Sequence, residues 1–272
     1  MPATIKVDKL QEGLKTKLFG KYIFFSREVD STNNWAKELA ELGALEGTAA
    51  IAETQTAGRG RLGRKWHSPK GGLWLSLILK PNLKPSETVK LVFLTSLAVA
   101  ETLRELYGLK AETKWPNDVL VDGRKVCGIL CETKTVGEKV EYAVLGIGVN
   151  ANFNVDKEFP QELRETATSL ENILGRKVAL EELFKALLEK MEWLYQVFLK
   201  EGFTPILKKW KGYASFLGFE VEVFIGGEDE KLEGTALDVD IDGALILRLK
   251  DGSVKRVFVG DLSLKIKRVN KA

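Results

Sequence analysis

The sequence predicts an α+β protein in which a mixed or antiparallel sheet packs against helices and a small β-barrel follows at the C-terminus. Short strand-like runs separated by turn residues extend to about residue 150, which favours successive hairpins. Two long apolar helical patterns, over residues 86–108 and 180–202, can cover such a sheet. Because the composition changes near residue 217, we expect a larger domain over residues 1–215 and a C-terminal module over residues 216–272.

The composition is that of a water-soluble protein. Lys and Arg total 41 against 38 Asp and Glu, and the resulting net charge of +3 gives no reason to expect a nucleic-acid partner. The sequence contains no apolar run of roughly 18 residues or more, and its first residues lack the apolar core of a secretory signal. We therefore expect a cytoplasmic protein with no membrane partner, in which any basic site is local.

The two cysteines, Cys127 and Cys131, lie in one apolar run that is typical of a strand. Four strand steps separate them by roughly 13 Å, whereas a disulfide needs Cα atoms within about 7 Å. With His67 as the single histidine of the chain, C-x-x-x-C is also a poor zinc pattern. We expect two small buried side chains, and the sequence leaves any metal ligands unknown.

The first half of the chain surrounds a glycine-rich stretch. The strand FGKYIFFSREV ends in Asp30-Ser31-Thr32-Asn33, all good helix N-caps, before the helical pattern WAKELAEL. TAAIAETQTA and LWLSLILK are typical of strands, and the capped, mostly apolar pattern over residues 86–108 predicts the central buried helix. Side-chain oxygens therefore gather at the entrance of the first of these helices.

Past that central helix the pattern changes to short strands. AETKW ends at the break Pro116-Asn117-Asp118, the Asp122-Gly123 turn joins VLV to KVCGILCE, and a polar loop precedes EYAVLGIGVN. ATSLENILG, LEELFKALLEKMEWLYQVFLKEG and TPILKKWKGY then predict helices that close the larger domain. The hairpins indicate an antiparallel arrangement for this part of the sheet.

The C-terminal module consists of alternating strand-like runs between residues 219 and 267. Three pairs of turn residues separate these runs, namely Gly226-Gly227, Asp242-Gly243 and Asp251-Gly252. Such spacing predicts four or five strands in a small barrel of tight hairpins.

The stretch GRGRLG, residues 58–63, has the spelling of a dinucleotide-binding fingerprint. That fingerprint works only where the third glycine opens a helix, whose N–H groups hold the pyrophosphate. Here Gly63 is followed by RKWHSPKGG and then a strand, and the Gly-Lys-Ser/Thr of a phosphate loop is also missing. The match is therefore accidental.

The same stretch nevertheless suits a polyanion. Residues 55–73 contain five Lys or Arg side chains, no acidic side chain, and five glycines that allow a backbone to approach a ligand closely. Trp66 adds a flat face on which an adenine can stack. A generic basic loop is as often a solvated turn, but this combination favours a phosphate-binding lid.

A second cluster, KWPND, lies at the end of a predicted strand. Pro116 stops the strand pairing and fixes the turn, so Lys114 stands on a rigid backbone. Taken alone, an ordinary solvent-facing lysine beside a buried Trp115 is the better interpretation.

Together the two clusters resemble the signature segments of the biotin protein ligases. GRGRLGRKWHSP is similar to that family's biotinyl-adenylate loop, and KWPND is similar to its catalytic signature. DSTN, ETQTAGRGR, GRKVCGILCE and GIGVN also occur in the family's order between residues 30 and 150. The resemblance extends from about Phe19 to the C-terminus, and several ordered motifs argue against coincidence.

The resemblance implies a catalytic domain related to the class II aminoacyl-tRNA synthetases over residues 1–215, followed by an SH3-like barrel over residues 216–272. Many bacterial relatives carry an N-terminal DNA-binding domain and act as repressors. The residues before Phe19 are too few for such a domain, so we do not expect transcriptional regulation. By analogy with the family, a homodimer formed through the sheet is expected.

The resemblance also implies roles for individual residues. The biotin pocket would be lined by Ser31, Thr32 and Asn33. Gln55 would hydrogen-bond the ureido ring, a neutral group that needs oriented polar partners. The loop over the biotin carboxylate and the adenylate phosphate would contribute Gly58, Arg59, Gly60 and Arg61. The adenosine side and the strand beside the ligand would contribute Trp66, Asn117, Lys125, Gly128 and Asn150, although Asn117 and Asn150 could also be turn residues only.

The implied reaction brings two anions together. A carboxylate and a phosphate 4 Å apart repel by about 4 kcal/mol at an effective dielectric of about 20, so cations must stand where biotin meets ATP. We expect Arg61 and Lys114, with Mg²⁺, to neutralise the charge that develops during formation of biotinyl-5′-AMP. The biotin would then pass to a lysine of a biotin carboxyl carrier protein domain.

Two other functions remain open at this point. A lipoate-attaching ligase would use the same fold and chemistry, although Gln55 and the DSTN cluster favour a ureido ring. A non-catalytic nucleotide or nucleic-acid binder could use residues 59–65 on phosphates, but such a binder has no need of Lys114 beside Asn117.

Overall fold

The computed structural model describes residues 5–225 and 230–264, and its larger sheet has seven strands. These strands are β1 (Ile23–Val29), β2 (Ala49–Gln55), β3 (Leu73–Leu79), β4 (Ala111–Lys114), β5 (Asp118–Val121), β6 (Arg124–Val136) and β7 (Lys139–Val149). They lie in the order β1-β2-β3-β7-β6-β5-β4, with β1 and β2 parallel and the other pairs antiparallel. The predicted mixed sheet is confirmed.

Helices cover both faces of this sheet. They are α1 (Asp8–Gln11), α2 (Thr32–Glu41), α3 (Val89–Tyr107), α4 (Val155–Glu158), α5 (Gln161–Arg164), α6 (Leu170–Leu174), α7 (Leu180–Glu201) and α8 (Thr204–Lys211). The apolar helix α3 is buried over most of its length and packs with α7 and α8 in the main core, as the predicted central helix should. On the other face Ala36 and Ala40 of α2 pack on Ala50 and Ile78, where small side chains allow close approach.

The polar loop predicted before EYAVLGIGVN is wrong, because β6 and β7 continue through it as a hairpin. The two strands stay paired as far as Val136 and Lys139, and Gly137 takes a positive φ of 59° in the turn. This end of the hairpin is solvent-exposed, which explains its polar composition, while β-branched residues such as Thr133 and Thr135 favour the extended backbone. A polar strand of this kind has no buried face to reveal it in the sequence.

The C-terminal residues form a second, five-stranded antiparallel sheet. Its strands are β8 (Glu220–Ile225), β9 (Glu230–Val239), β10 (Leu245–Leu249), β11 (Val254–Val257) and β12 (Asp261–Leu264), in the order β11-β10-β9-β8-β12. The predicted turns at Asp242-Gly243 and Asp251-Gly252 are present, with positive φ at both glycines. The predicted Gly226-Gly227 turn lies outside the described residues.

The two sheets are joined through the KWPND segment. The buried indole of Trp115 donates a hydrogen bond from Nε1 to the Gly243 carbonyl at 3.0 Å, and Lys211 pairs with Asp238 at 2.7 Å. Gly243 allows this close approach, since a Cβ there would lie 3.0 Å from the Phe93 ring. The contacts place β12 beside the glycine-rich segment, which we define as residues 58–72.

Candidate active site

A cavity of about 470 Å³ lies between the larger sheet, the glycine-rich segment and β12. Its wall combines the start of α2, the turn between β4 and β5, the adjoining faces of β6 and β7, and two residues of β12. Most of the residues proposed from the sequence line it: Ser31, Thr32, Asn33, Gln55, Arg59, Gly60, Arg61, Trp66, Lys114, Asn117, Lys125, Gly128 and Asn150. Segments that are distant in the sequence therefore meet around one space.

One end of the cavity, which we call the helix-entrance end, is formed by Ser31, Thr32, Asn33 and Gln55. The backbone N–H of Thr32 donates to Gln55 Oε1 at 2.8 Å, so a side chain from β2 caps α2. The predicted N-cap Ser31 makes no capping bond, and its hydroxyl has no hydrogen-bond partner among the described residues, although the residue itself is buried in the cavity wall. A hydroxyl that the helix does not use is available to a ligand.

A buried serine behind this end fixes two of its side chains. Ser76 on β3 is fully buried, and its hydroxyl lies 2.8 Å from Thr32 Oγ1 and 2.6 Å from Asn33 Oδ1. The Asn33 amide in turn donates to Glu132 Oε2 at 2.8 Å. The Gln55 amide donates to Ser68 Oγ at 2.7 Å, which leaves Gln55 held at both ends. These polar groups are oriented before any ligand enters.

Glycines of β6 and β7 allow the wall side chains to lie close to the sheet. A Cβ at Gly146 would be 2.2 Å from Asn33 Oδ1, and one at Gly148 would be 2.5 Å from Trp66 Nε1. A Cβ at Gly128 would be 2.9 Å from the Trp66 ring. The Trp66 indole therefore rests directly on the backbone of these strands, and side chains at the three positions would displace it or Asn33.

The glycine-rich segment folds back on itself as a short hairpin. The Gly60 N–H donates to the Arg64 carbonyl at 2.7 Å, and the Trp66 N–H donates to the Gly58 carbonyl at 2.8 Å. No helix follows Gly63, because Arg64 is already extended, so the dinucleotide spelling is accidental as argued above. The hairpin carries Arg59, Arg61, Arg64 and Lys65 to the cavity.

Gly58 is the one proposed binding residue that does not line the cavity. A Cβ there would lie 2.4 Å from the Trp66 carbonyl oxygen and 2.8 Å from Ser68 Oγ. The absence of a side chain at Gly58 therefore allows the two arms of the hairpin to approach each other.

Lys114 ends β4 and lines the cavity. Burial lowers the pKa of its ammonium below the usual lysine range, and the carboxylates of Asp118 and Asp261 oppose that shift. Among the described residues Lys114 takes part in no ion pair, whereas Lys125 nearby pairs with Asp118 at 2.6 Å. A half-buried cation without an ion-pair partner is poised to receive an anion.

Two asparagines are fixed by the backbone around them. The Asn117 amide donates to the Ile129 carbonyl at 2.7 Å, which turns its oxygen towards Arg61 Nη1 at 3.4 Å. The Asn150 amide donates to the Thr168 carbonyl at 2.9 Å, while Asn150 Oδ1 is buried without a partner. Asn150 thus offers the cavity an unused acceptor.

The arginines of the hairpin are paired with carboxylates from other elements. Arg59 Nη2 lies 3.0 Å from Glu132 Oε1 on β6. Arg61 Nη1 lies 3.5 Å from Asp261 Oδ1, and Arg64 Nη1 lies 2.6 Å from Asp261 Oδ2 on β12. Burial lowers the pKa of Arg61, and Asp261 opposes that effect, so the guanidinium keeps its charge.

The charge of the wall is positive on balance. Six Lys or Arg side chains line the cavity: Arg59, Arg61, Arg64, Lys65, Lys114 and Lys125. Only three carboxylates do so, those of Asp118, Glu165 and Asp261. Lys125 also lies over the Trp66 ring, 5.0 Å from its centroid. We call the part of the cavity around Arg61, Arg64, Lys114 and Asp261 the basic end, and it suits a polyanion.

Within residues 5–225 and 230–264, no group of three or more His, Cys, Asp or Glu side chains could hold a metal ion. Cys127 and Cys131 are free thiols, and burial raises the pKa of both. His67 packs on Phe159 in the cavity wall, and burial lowers its pKa.

No helix of the described residues is long and apolar enough to cross a membrane.

The sequence did not predict Ser76, Glu132, Asp118 or Asp261 as parts of the site. Ser76 had a visible signal, because it is the single polar residue of the apolar strand LWLSLIL. Asp261 had none, since it lies in a different sheet and reaches the cavity only through the packing of the two sheets.

Comparison with known proteins identifies related families. The model described as Biotin/lipoate A/B protein ligase family matches residues 25–150, and the model described as Biotin protein ligase C terminal domain matches residues 216–265. Bifunctional ligase/repressor BirA of Bacillus subtilis (strain 168) is 36% identical over 264 residues, which make up 97% of this chain and 80% of that protein.

A second ligase and a solved structure are similar to this chain as well. A biotin–(acetyl-CoA-carboxylase) ligase of Paracoccus denitrificans is 35% identical over 223 residues, covering 80% of this chain and 91% of that protein. The structure of biotin protein ligase from Aquifex aeolicus in complex with biotin and ATP aligns with a TM-score of 0.74 at 32% identity. That alignment covers 90% of this chain and 99% of the other.

Proposed function

The chain belongs to the biotin protein ligase family, and on that premise we propose that its cavity converts biotin and ATP to biotinyl-5′-AMP and transfers the biotin to a lysine of a biotin carboxyl carrier protein domain. One observation carries the proposal. Arg61 and Lys114, from the hairpin and from the end of β4, line the same cavity, and the oriented polar groups of the helix-entrance end lie in its wall as well. The cavity thus joins a site for a neutral ring to a site for phosphates.

The helix-entrance end suits the bicyclic ring of biotin. A neutral ureido group is recognised by hydrogen bonds of fixed direction rather than by charge. The free hydroxyl of Ser31 and the held side chains of Thr32, Asn33 and Gln55 supply donors and acceptors of that kind. Because these groups are already ordered, binding requires little reorganisation of the protein.

The basic end supplies the charge that the first step needs. As the biotin carboxylate attacks the α-phosphate, negative charge builds up on the phosphorus oxygens and on the departing pyrophosphate. The unpaired ammonium of Lys114 and the guanidinium of Arg61 stabilise that charge, and in a buried cavity their effect exceeds that in water. Arg59 lies closer to the helix-entrance end through its contact with Asn34 and is placed to meet the carboxylate.

The adenosine part of ATP is assigned to the Trp66 side of the cavity. Trp66 offers an aromatic face, and the buried Asn150 Oδ1 is an unused acceptor for an exocyclic amine. Asn117, Lys125 and Gly128 line the same part of the wall. Gly128 leaves room for the Trp66 indole there, since a Cβ at this position would collide with the ring.

Mg²⁺ would enter with the triphosphate. This ion is usually held by one or two carboxylates together with phosphate oxygens and water, so the missing three-residue cluster is no obstacle. Asp118 is the candidate carboxylate, because it lines the cavity near Lys114, and its ion pair with Lys125 at 2.6 Å would exchange for the metal ion. The ion would supply positive charge on the pyrophosphate as it leaves.

In the second step the hairpin protects the intermediate. Biotinyl-5′-AMP is a mixed anhydride, which water hydrolyses, and residues 58–70 are placed to cover it. The carrier lysine attacks the acyl carbon, AMP leaves, and Lys114 holds the developing negative charge. The attacking lysine of the carrier domain must lose a proton, and water or the phosphate of the departing AMP accepts it.

The test is an incubation of the full chain with biotin, ATP, Mg²⁺ and a biotin carrier domain, read by the mass of the carrier. We expect one biotinyl group on the carrier and biotin-dependent release of pyrophosphate in its absence. A parallel arm replaces biotin with lipoate, because the family model covers both kinds of ligase. Modification with lipoate instead of biotin, or pyrophosphate release with neither acid, would contradict the proposal.

We further propose a cytoplasmic homodimer that pairs through the sheet. The β1 strand lies at an edge, where its outer backbone groups are unpaired by the described residues, and such an edge can pair with a second chain. Phe24 on this strand is exposed. Light scattering of the purified chain should give twice the monomer mass, and a monomer at all concentrations would contradict the proposal.

A further inference from the structure

The strongest feature that the proposed function does not explain is a carboxylate inside the basic end. Asp261 lies on β12 of the C-terminal sheet and lines the cavity together with Ser263. A triphosphate would be repelled by it, so its presence among cations that bind phosphate needs a reason.

Among the described residues, both ion pairs of the Asp261 carboxylate are with the glycine-rich segment. Its two carboxylate oxygens face different arginines, Arg61 at 3.5 Å and Arg64 at 2.6 Å. The carbonyl of the preceding residue, Gly260, accepts a further hydrogen bond from Arg61 Nη1 at 3.2 Å. One short piece of the C-terminal sheet therefore binds both guanidinium groups of the hairpin tip.

The backbone at this point is built for a close approach. A Cβ at Gly260 would lie 2.8 Å from Val223 Cγ1 and 2.9 Å from the Phe224 carbonyl oxygen on β8. Asp261 itself pairs in register with Phe224. The carboxylate thus stands on a strand that is fixed within its own sheet, and that sheet is anchored to the larger domain through Trp115 and Lys211.

The tip of the hairpin, residues 61–64, is by contrast attached less firmly than its arms, where Arg59 pairs with Glu132. Arg64 is half exposed, Leu62 is exposed, and the backbone of Leu62 has the left-handed φ of 54°. Apart from the hydrogen bonds within the hairpin, its tip is attached to the rest of the protein mainly through Arg61 and Arg64. Removing the Asp261 carboxylate would remove two of these four contacts, including the only one made by Arg64.

We propose that Asp261 is a positioning residue of the reaction, which holds Arg61 and Arg64 over the cavity until the phosphates of the nucleotide take its place. The inference rests on the proposed function. Before ATP binds, the carboxylate acts as a substitute anion that keeps the hairpin ordered and its cations in place. When the triphosphate enters, it offers more negative charge to the same arginines, and the pairs with Asp261 exchange for pairs with phosphate.

The exchange gives the C-terminal sheet a defined part in catalysis. A loop that is already ordered loses less conformational entropy when ligand arrives, which favours closure. An anion held by partly exposed ion pairs is also displaced easily, because such pairs contribute little free energy. Asp261 therefore orders the arginines without blocking the phosphates.

Hydrogen exchange of the free protein, followed by mass spectrometry over residues 56–67, tests the proposal. In Asp261→Asn we expect the hydrogen-bonded amides of Gly60, Arg64 and Trp66 to exchange about tenfold faster than in the wild type. With biotin and MgATP bound, the difference between the two proteins should vanish, because phosphates then hold the arginines. A merely structural role of Asp261 would leave the difference in place.

Matched variants isolate the effect. Asp238→Asn removes the same charge from another ion pair between the C-terminal sheet and the larger domain, with Lys211 of α8, and should leave the exchange of residues 56–67 unchanged. Asp261→Glu keeps the carboxylate, so the amides of residues 56–67 should exchange about as slowly as in the wild type. Arg64→Gln breaks the 2.6 Å pair from the exposed side and should speed exchange even if Asp261→Asn does not fold.

Unchanged exchange in both Asp261→Asn and Arg64→Gln, or an equal change in Asp238→Asn, would overturn the proposal. The free-protein measurement needs no substrate, so it decides the role of Asp261 independently of the activity. If the wild type shows no biotin-dependent pyrophosphate release, the proposed function fails. If it shows release but the exchange is unaffected, only the role of Asp261 fails.

Discussion

The helix-entrance end of the cavity is held by buried hydrogen bonds, whereas the basic end is held by ion pairs that reach the surface. Ser76, which is fully buried, fixes Thr32 and Asn33 at the first end. At the second end Asp261 pairs with Arg61 and with the half-exposed Arg64. The first set of contacts lies within the larger sheet and its helix, while the second joins the C-terminal sheet to the glycine-rich segment.

The difference corresponds to what each end must do. A neutral ring is recognised by groups that do not move, and buried hydrogen bonds are expensive to break. A triphosphate enters, reacts and leaves as pyrophosphate, so its partners must release one anion for another. Partly exposed ion pairs suit this exchange because solvent and salt screen them. Mutations at the two ends should therefore affect different steps.

The largest effect should come from Lys114→Ala. The unpaired ammonium is expected to stabilise charge that develops in the transition state, and its loss should raise the barrier by about 3 kcal/mol, a rate loss of about a hundredfold. Biotin affinity should change little, because Lys114 belongs to the basic end. Pyrophosphate release and calorimetry with biotin measure the two quantities.

Lys110→Ala is the control for that change, since Lys110 is an exposed lysine just before β4. It should leave the rate unaltered. If Lys114→Ala formed the adenylate at the wild-type rate, Lys114 would have no part in the chemical step. The proposed difference between the two ends of the cavity would then be wrong.

Ser76→Ala should produce the next largest effect, and at the opposite end. The substitution leaves Asn33 Oδ1 and Thr32 Oγ1 without their buried partner, which costs about 1 to 2 kcal/mol. We expect the Kd for biotin to rise about tenfold. The rate of adenylation at saturating biotin should stay near the wild-type value, because Ser76 does not touch the basic end.

The control is Ser96→Ala, which removes another buried hydroxyl. Ser96 on α3 bonds Phe93 and Trp210 in the main core, away from the cavity. It should lower the free energy of unfolding to a similar extent while leaving biotin affinity unchanged. Equal losses of biotin affinity in the two variants would mean that Ser76 acts only through stability.

The two ends also differ in how far the sequence predicts them. The DSTN cluster follows a local pattern, since N-cap residues precede α2, and Ser76 is visible as a polar residue in an apolar strand, whereas the role of Gln55 rests on the family resemblance. At the basic end, Arg61 and Lys114 came from motifs that resemble a family. Their meeting depends on sheet pairings that single-strand periodicity does not specify.

Two features lay beyond the reach of the sequence. Asp261 is assigned by its periodicity to a strand of the C-terminal module, and nothing local shows that this strand faces the hairpin. The exposed end of the β6–β7 hairpin has the sequence pattern of a loop, because polar residues on both faces hide the period of two. In both places tertiary contacts, rather than local preference, decide the structure.

Arg61→Ala removes one of the two cations that stabilise the developing charge, and it should also weaken the retention of the intermediate, an effect smaller than either change above. Without the guanidinium, the hairpin loses its contacts with Asn117 and the Gly260 carbonyl, and the cavity opens more often. We expect biotinyl-5′-AMP to escape several-fold faster, as measured by its retention on a filter, if each lost contact is worth about 0.5 to 1 kcal/mol. Arg176→Ala, at an exposed position, is the control. Unchanged retention would argue that residues 58–70 do not cover the intermediate.

The smallest effect concerns pH and separates the charge of Lys114 from its shape. Burial lowers the pKa of Lys114, so its charge is present at low pH and is lost as pH rises through that lowered value. For the wild type, kcat/KM for ATP, which reports the free enzyme, should therefore fall at a lower pH than the usual lysine pKa of about 10.4 would require. In Lys114→Arg the guanidinium stays protonated, and the decline should move to higher pH even if the overall rate is reduced. If kcat/KM for ATP fell at the same pH in the wild type and in Lys114→Arg, a group other than Lys114 would cause the decline. The basic end would then contain no cation that titrates in this range.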